Sequence, residues 1–152
     1  MPHQVIPVVS LILPCDEAVY EIAAESWVVV NPWTTTQELP RGKAFPHRVP
    51  EVWIYSQLSG GLGIVDLAIE VLEVREDGTR RQVGISGAVR KLEFDLSNQL
   101  VPLVTAFRLK KVPFRSEGTY EFRLVAAQES GQWIALNGPT AQVRLLEHWG
   151  TP

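Results

Sequence analysis

Hydrophobic and polar positions alternate with a period of two along much of this chain, which places successive side chains on opposite faces of extended backbone. From Thr119 to Ala126, Tyr120, Phe122, Leu124 and Ala126 share one face while Glu121 and Arg123 share the other, the pattern of a half-buried strand. Leu92, Phe94 and Leu96 alternate with Glu93 and Asp95, and Leu103, Thr105, Phe107 and Leu109 alternate with Arg108 and Lys110. Shorter runs predict strands at Val5 to Leu13, Trp27 to Asn31, Val52 to Leu58, Gln82 to Ile85, Trp133 to Leu136 and Gln142 to Leu146.

Turn residues separate these runs. Asp77-Gly78 predicts a type I′ hairpin, because both central residues of that turn need positive φ and these two tolerate it best. Glu117-Gly118, Ser130-Gly131 and Asn137-Gly138 punctuate the last third. Residues 64–74 fit two templates: Ile64, Leu67, Ala68, Val71 and Leu72 match a helical face, and Val65, Leu67, Ile69 and Val71 match a strand. The strand is preferred, since the Asp77-Gly78 hairpin needs an extended partner upstream. Asp16 to Glu25 predicts a short helix with Asp16 as its N-cap. Pro32, Pro40, Pro46 and Pro50 remove donors and fix φ, so Asn31 to Pro50 reads as a long ordered loop around an edge segment, Thr34 to Leu39. These elements predict an all-β fold: an antiparallel β-sandwich of about seven to nine strands, immunoglobulin- or C2-like in layering, with at most one short helix.

Composition limits this fold to one core. The chain has 152 residues, 45% of them hydrophobic, enough for one sizeable interior and too little for two, so residues 1–152 are expected to form a single domain. No run approaches the roughly 20 apolar residues that span a bilayer, and the first residues lack the basic and apolar regions of a secretory signal. Cys15 is the only cysteine, which excludes an internal disulfide and fits a reducing compartment; a cytoplasmic location without membrane attachment is expected.

The net charge is −3, yet its distribution is uneven. Arg75 to Arg115 contains nine basic and four acidic residues, and the remainder contains five basic and thirteen acidic ones. Ordinary variation among solvated strand faces accounts for this; the sharper reading is a steered protein contact or head-to-tail self-association. Arg80-Arg81, Arg90-Lys91 and Lys110-Lys111 have no aromatic residues interleaved for stacking bases, so no nucleic-acid partner is expected.

Motifs for catalysis are weak. Ser59-Gly60-Gly61-Leu62-Gly63 resembles a phosphate loop only if a helix follows, and Asp66 stands where a dinucleotide fingerprint needs its third glycine. A hairpin or bulge explains these glycines better. Cys15 follows an apolar run and reads as a small inert side chain. His3, His47 and His148 are mutually distant in sequence and supply no metal-ligand spacing. Neither a catalytic residue, a cofactor nor a metal is therefore expected. Trp33, Phe45 and His47 are the candidate partner-binding residues: exposed, they make an aromatic anchor patch; turned inward, Trp33 and Phe45 cap an open end of the sandwich.

Leu13-Pro14-Cys15-Asp16 resembles the Leu-x-Cys-Asp signature closing the first strand in a family of uncharacterised bacterial all-β proteins. Pro113 to Phe122 resembles the Pro-Phe-x-x-x-Gly-x-Tyr-x-Phe segment of the same family. The resemblance implies a small sandwich domain and carries over no activity or catalytic residue. The leading expectation is a non-enzymatic protein-interaction or accessory module with a protein partner. One alternative is an enzyme or small-ligand binder whose site assembles from loops, with Cys15, Asp16, His47 and His148 as the groups to watch; another is a homo-oligomeric structural component.

Overall fold

The computed structural model describes residues 4–85 and 89–148; His3 and Trp149 lie outside the described residues. The described residues form eleven strands: β1 (Val8–Glu21), β2 (Ser26–Pro32), β3 (Thr36–Glu38), β4 (His47–Ser59), β5 (Gly63–Val74), β6 (Arg80–Ile85), β7 (Arg90–Phe94), β8 (Leu103–Phe114), β9 (Gly118–Ala127), β10 (Trp133–Ala135) and β11 (Ala141–Leu146). They make a four-stranded sheet in the order β2-β1-β4-β8 and a seven-stranded one in the order β3-β11-β9-β5-β6, with β7 also on β5 and β10 also on β9. The excess over the expected seven to nine comes from two broken lanes. β6 and β7 lie in turn along β5, and β10 and β11 along β9. β3 runs parallel to β11, the one parallel pairing among the described residues.

Alternation decides which side chains meet between the sheets. Val52, Ile54, Leu58, Phe107 and Leu109 from one sheet and Val65, Leu67, Ile69, Phe122 and Leu124 from the other belong to a single buried cluster. Phe114 meets Tyr120 edge to face, with ring centroids 4.7 Å apart. The outer face of β9 is not solvated as the alternation implies. Glu121 is 4% exposed and accepts hydrogen bonds from Arg80 Nε (2.9 Å), Thr140 Oγ1 (2.8 Å) and Gln142 Nε2 (3.2 Å).

Residues 64–74 lie within β5, so the helical template fails and no helix follows the glycines. Gly60 and Gly63 adopt φ of 76° and 77°, and a Cβ on Gly61 would lie 2.8 Å from the Phe94 ring. Turn and packing needs therefore explain this loop. The helix expected over Asp16 to Glu25 is absent too: β1 continues to Glu21, because Val19, Val28 and Val30 favour extended backbone and pair across a hairpin. The short helical element is instead a 3-10 turn at Leu96–Gln99, capped by Asp95.

The hairpin at Asp77-Gly78 forms with a different turn. Only Gly78 of the pair has positive φ (85°), and Arg75 N donates to Thr79 O (2.9 Å) around a three-residue loop. The Asp77 carboxylate accepts from Thr79 N (2.9 Å), holding Asp77 in the conformation of an ordinary type I turn.

The proline segment also yields more strand than expected, since β4 begins at His47 and runs through Pro50. β1 pairs with β4 only as far as Cys15↔Trp53, so Pro50 lies beyond it and has β8 alone as its neighbour. On the β8 side the pairing passes in step from Val49↔Val112 to Glu51↔Lys110, and Lys111, opposite the proline, adopts φ of 55°.

Candidate functional site

The candidate anchor residues turn inward. Trp33 is 8% exposed, lies edge-on to Phe122 at 6.2 Å, and donates from Nε1 to Asp16 Oδ1 at 2.9 Å. Phe45 is half-buried against the main core, and His47, half-buried, pairs with Phe114 at the start of β4. Of the two arrangements open to this segment, the structure takes the end cap. The cause is the shared core: an indole here fills the gap where the chain crosses from β2 to β3, and its N–H finds a carboxylate.

Cys15, Asp16, His47 and His148 do not converge. Cys15 pairs with Trp53, and His47 lies six residues earlier on the same β4 strand, about 20 Å away at strand rise. Asp16 is bonded to Trp33, and His148 Nδ1 contacts Glu38 Oε2 at 3.2 Å beside the other sheet. No group of three His, Cys, Asp or Glu side chains suited to a metal occurs among the described residues. Burial, reinforced by the charge of Asp16, pushes the Cys15 thiol up to about 11. It is therefore a protonated, poorly nucleophilic group at neutral pH.

An open cleft of about 680 Å³ lies between the β5–β6 turn, β9 and β11. Glu73, Arg75, Glu117 and Arg144 place charges of both signs around it, and its lining contains neither a cysteine nor a histidine. Such a rim is wet and mixed in sign. Elsewhere Arg80, Lys91, Arg108 and Arg123 pair with Glu121, Asp66, Glu51 and Glu70.

The feature that sequence reasoning missed is the β1–β2 hairpin. Beyond Cys15 this hairpin leaves β4 and continues as a two-stranded arm, Glu17 pairing with Val30 and Glu21 with Ser26. Register and pleat put Ala18, Tyr20, Trp27 and Val29 on one side, where Ala18, Trp27 and Val29 pack with Cys15, Ala106 and Trp53 on the outer face of the small sheet. Val19, Val28 and Val30 share the other side and are 41%, 38% and 37% exposed. Ile22 stands at the tip, 83% exposed. Glu17 and Glu21 stand on the same side as the valines, so one face of the arm is apolar and the other sets exposed valines among carboxylates.

Its outer strand is unusual for an edge. β2 reads Ser-Trp-Val-Val-Val-Asn-Pro, carries no charge, and has, among the described residues, a neighbouring strand on one side only. Sheet edges are ordinarily guarded by lysine or proline against pairing with other chains; here Pro32 and Asn31, with φ of 48°, disrupt only the end of the strand. The signal was present in the sequence as an unbroken apolar run from Trp27 to Val30. Alternation, the guide used elsewhere, does not report it. Trp27 and Trp53 lie on the outer face of the small sheet, and Trp133 is 40% exposed.

No helix among the described residues is long and apolar enough to cross a membrane. No protein-family model matches the chain, and no curated protein matches it either.

Proposed function

We propose that this chain is a non-enzymatic protein-interaction or accessory module of a reducing, cytoplasmic compartment, and that it engages its partner by strand addition along β2. The observation carrying this reading is the uncharged, one-sided β2 edge with apolar side chains on both faces of its hairpin. Strand addition suits such an edge because main-chain hydrogen bonds supply affinity and alternate side chains supply selectivity. The scattering of Cys15, Asp16, His47 and His148 favours a binding module over a loop-assembled active site. Trp33 then acts at the root of the arm, tying Asp16 in place, while Phe45 and His47 close the adjacent end. Immunoglobulin-like layering is part of the proposal. The Tyr120 hydroxyl donates to Ser116 O at 2.7 Å, as the corner tyrosine of such sandwiches does, and Pro113 to Phe122 carries the resemblance to the bacterial all-β family.

The test is affinity capture from the native cell with the wild-type chain, Val28→Lys and Trp133→Ala. Val28→Lys places a cation on the edge and is expected to lose the reproducible partner, while Trp133→Ala, on an exposed strand of the other sheet, retains it. Equal capture by all three, with circular dichroism showing each folded, removes β2 as the docking edge.

A further inference from the structure

We infer that the strand added to β2 is β8 of a second copy of this chain, so that copies associate head to tail and extend the four-stranded sheet from one molecule into the next. This rests on the reading of β2 as a docking edge and names its occupant. β2 and β8 are the two edges of the same sheet, and three antiparallel pairings separate them, so they run in opposite directions. A sideways shift of one copy by one sheet width therefore sets β2 antiparallel to β8 of its neighbour.

Height along the strands also agrees. Cys15 pairs with Trp53 and Trp53 with Arg108, so the arm that starts after Cys15 lies level with the half of β8 that starts at Arg108. The preceding part of that edge is engaged within the molecule: Arg90 Nη1 donates to Ala106 O at 2.7 Å. By strand alternation the main-chain groups of Arg108 and Lys110 point to the same outer side as that carbonyl.

Charge selects this arrangement over a symmetric one. Between Asp16 and Asn31 the chain carries Asp16, Glu17, Glu21 and Glu25 and no lysine or arginine. Between Leu103 and Arg115 it carries Arg108, Lys110, Lys111 and Arg115 and no acid. Two arms meeting face to face would oppose like charges, whereas arm against β8 pairs opposite ones. The same molecule holds both halves, so the contact is heterologous and repeats.

The experiment uses two full-length variants, each with one edge disabled. Val28→Lys blocks the arm, with Val30→Lys as a second version should the first unfold. Lys111→Asn with Arg115→Glu strips the β8 edge, asparagine tolerating the positive φ at Lys111. By light scattering at low salt, the wild-type mass is expected to rise with concentration above the 17.0 kDa of one chain. Association is expected to weaken by about tenfold or more at high salt, where the screening length falls to about 3 Å. Each folded variant alone is expected to be monomeric, and their mixture to form a heterodimer that grows no further. A wild-type monomer under all conditions, growth that stops at a symmetric dimer, or a mixture that stays monomeric would overturn the head-to-tail contact. The first of these, together with Val28-dependent capture of another protein, leaves the module reading standing; loss of that capture dependence defeats the module reading independently.

Discussion

The Cys15 thiol is 0% exposed beside Trp53 and Ala106, and its Sγ points to Trp53 O at 3.5 Å. Burial and Asp16 raise it from 9.0 to about 11, so at a given pH near neutrality its thiolate is about a hundredfold scarcer than in the unfolded chain. Alkylation of the native protein should therefore run at least about a hundredfold slower than in urea, and rapid native labelling would contradict the site as described. Because the folded value lies above the unfolded one, this thiol's contribution to stability is full below pH 9.0 and is lost as pH rises through about 11. Glu121 has the opposite sign. Burial pushes its carboxyl up, but hydrogen bonds from Arg80, Thr140 and Gln142 and the charge of Arg80 outweigh burial and leave it below its ordinary 4.5. Glu121→Gln should cost about 1–3 kcal/mol at neutral pH, and denaturant titrations should find that gap closing as pH falls below 4.5 and the wild-type carboxyl protonates.

Strands are held to one another by a few close approaches in the connections. The loop between β10 and β11 crosses to β1, where Val9 N donates to Asn137 O at 2.9 Å. Gly138 has φ of 113°, and a Cβ there would fall 2.2 Å from Val9 O. Gly138→Ala is expected to destabilise the fold by about 1–3 kcal/mol in urea unfolding, through backbone strain and displacement of β1. An unchanged midpoint would mean that the loop does not tie β1 to β10 and β11. The same scale explains what the sequence made legible. Strands whose faces see different surroundings, such as β9, announce themselves by alternation. The arm does not, because Trp27 to Val30 is apolar on both sides, and Asp16 to Glu25 mimics a capped helix when its cross-strand partners are unknown. Pro50 concealed the start of β4, since the donor it lacks falls opposite Lys111, whose φ of 55° already departs from regular strand geometry. The anchor role considered for Trp33 failed to anticipate Asp16, a partner fixed only once the chain crosses between the sheets.

Across the whole molecule, the acidic β1–β2 hairpin and the basic β8 strand lie at opposite ends of one sheet while the net charge is only −3. Composition revealed the imbalance, and topology gives it direction. Neighbouring strands rotate by about 20–25° each, so four strands per copy amount to roughly a quarter turn. Assemblies grown at low salt should appear in electron micrographs as twisted fibres repeating about every four copies; flat, straight ribbons would exclude continuation of the sheet through β2 and β8.

The Arg90 guanidinium on the Ala106 carbonyl bears on how such a fibre is spaced. A bare edge offers many equivalent offsets, and a growing array of that kind would accumulate slips. By occupying one acceptor along β8, this side chain works as a doorstop: an incoming strand slides until it meets the guanidinium and halts there. One residue of the molecule's own fold would thus set the phase of every junction that follows.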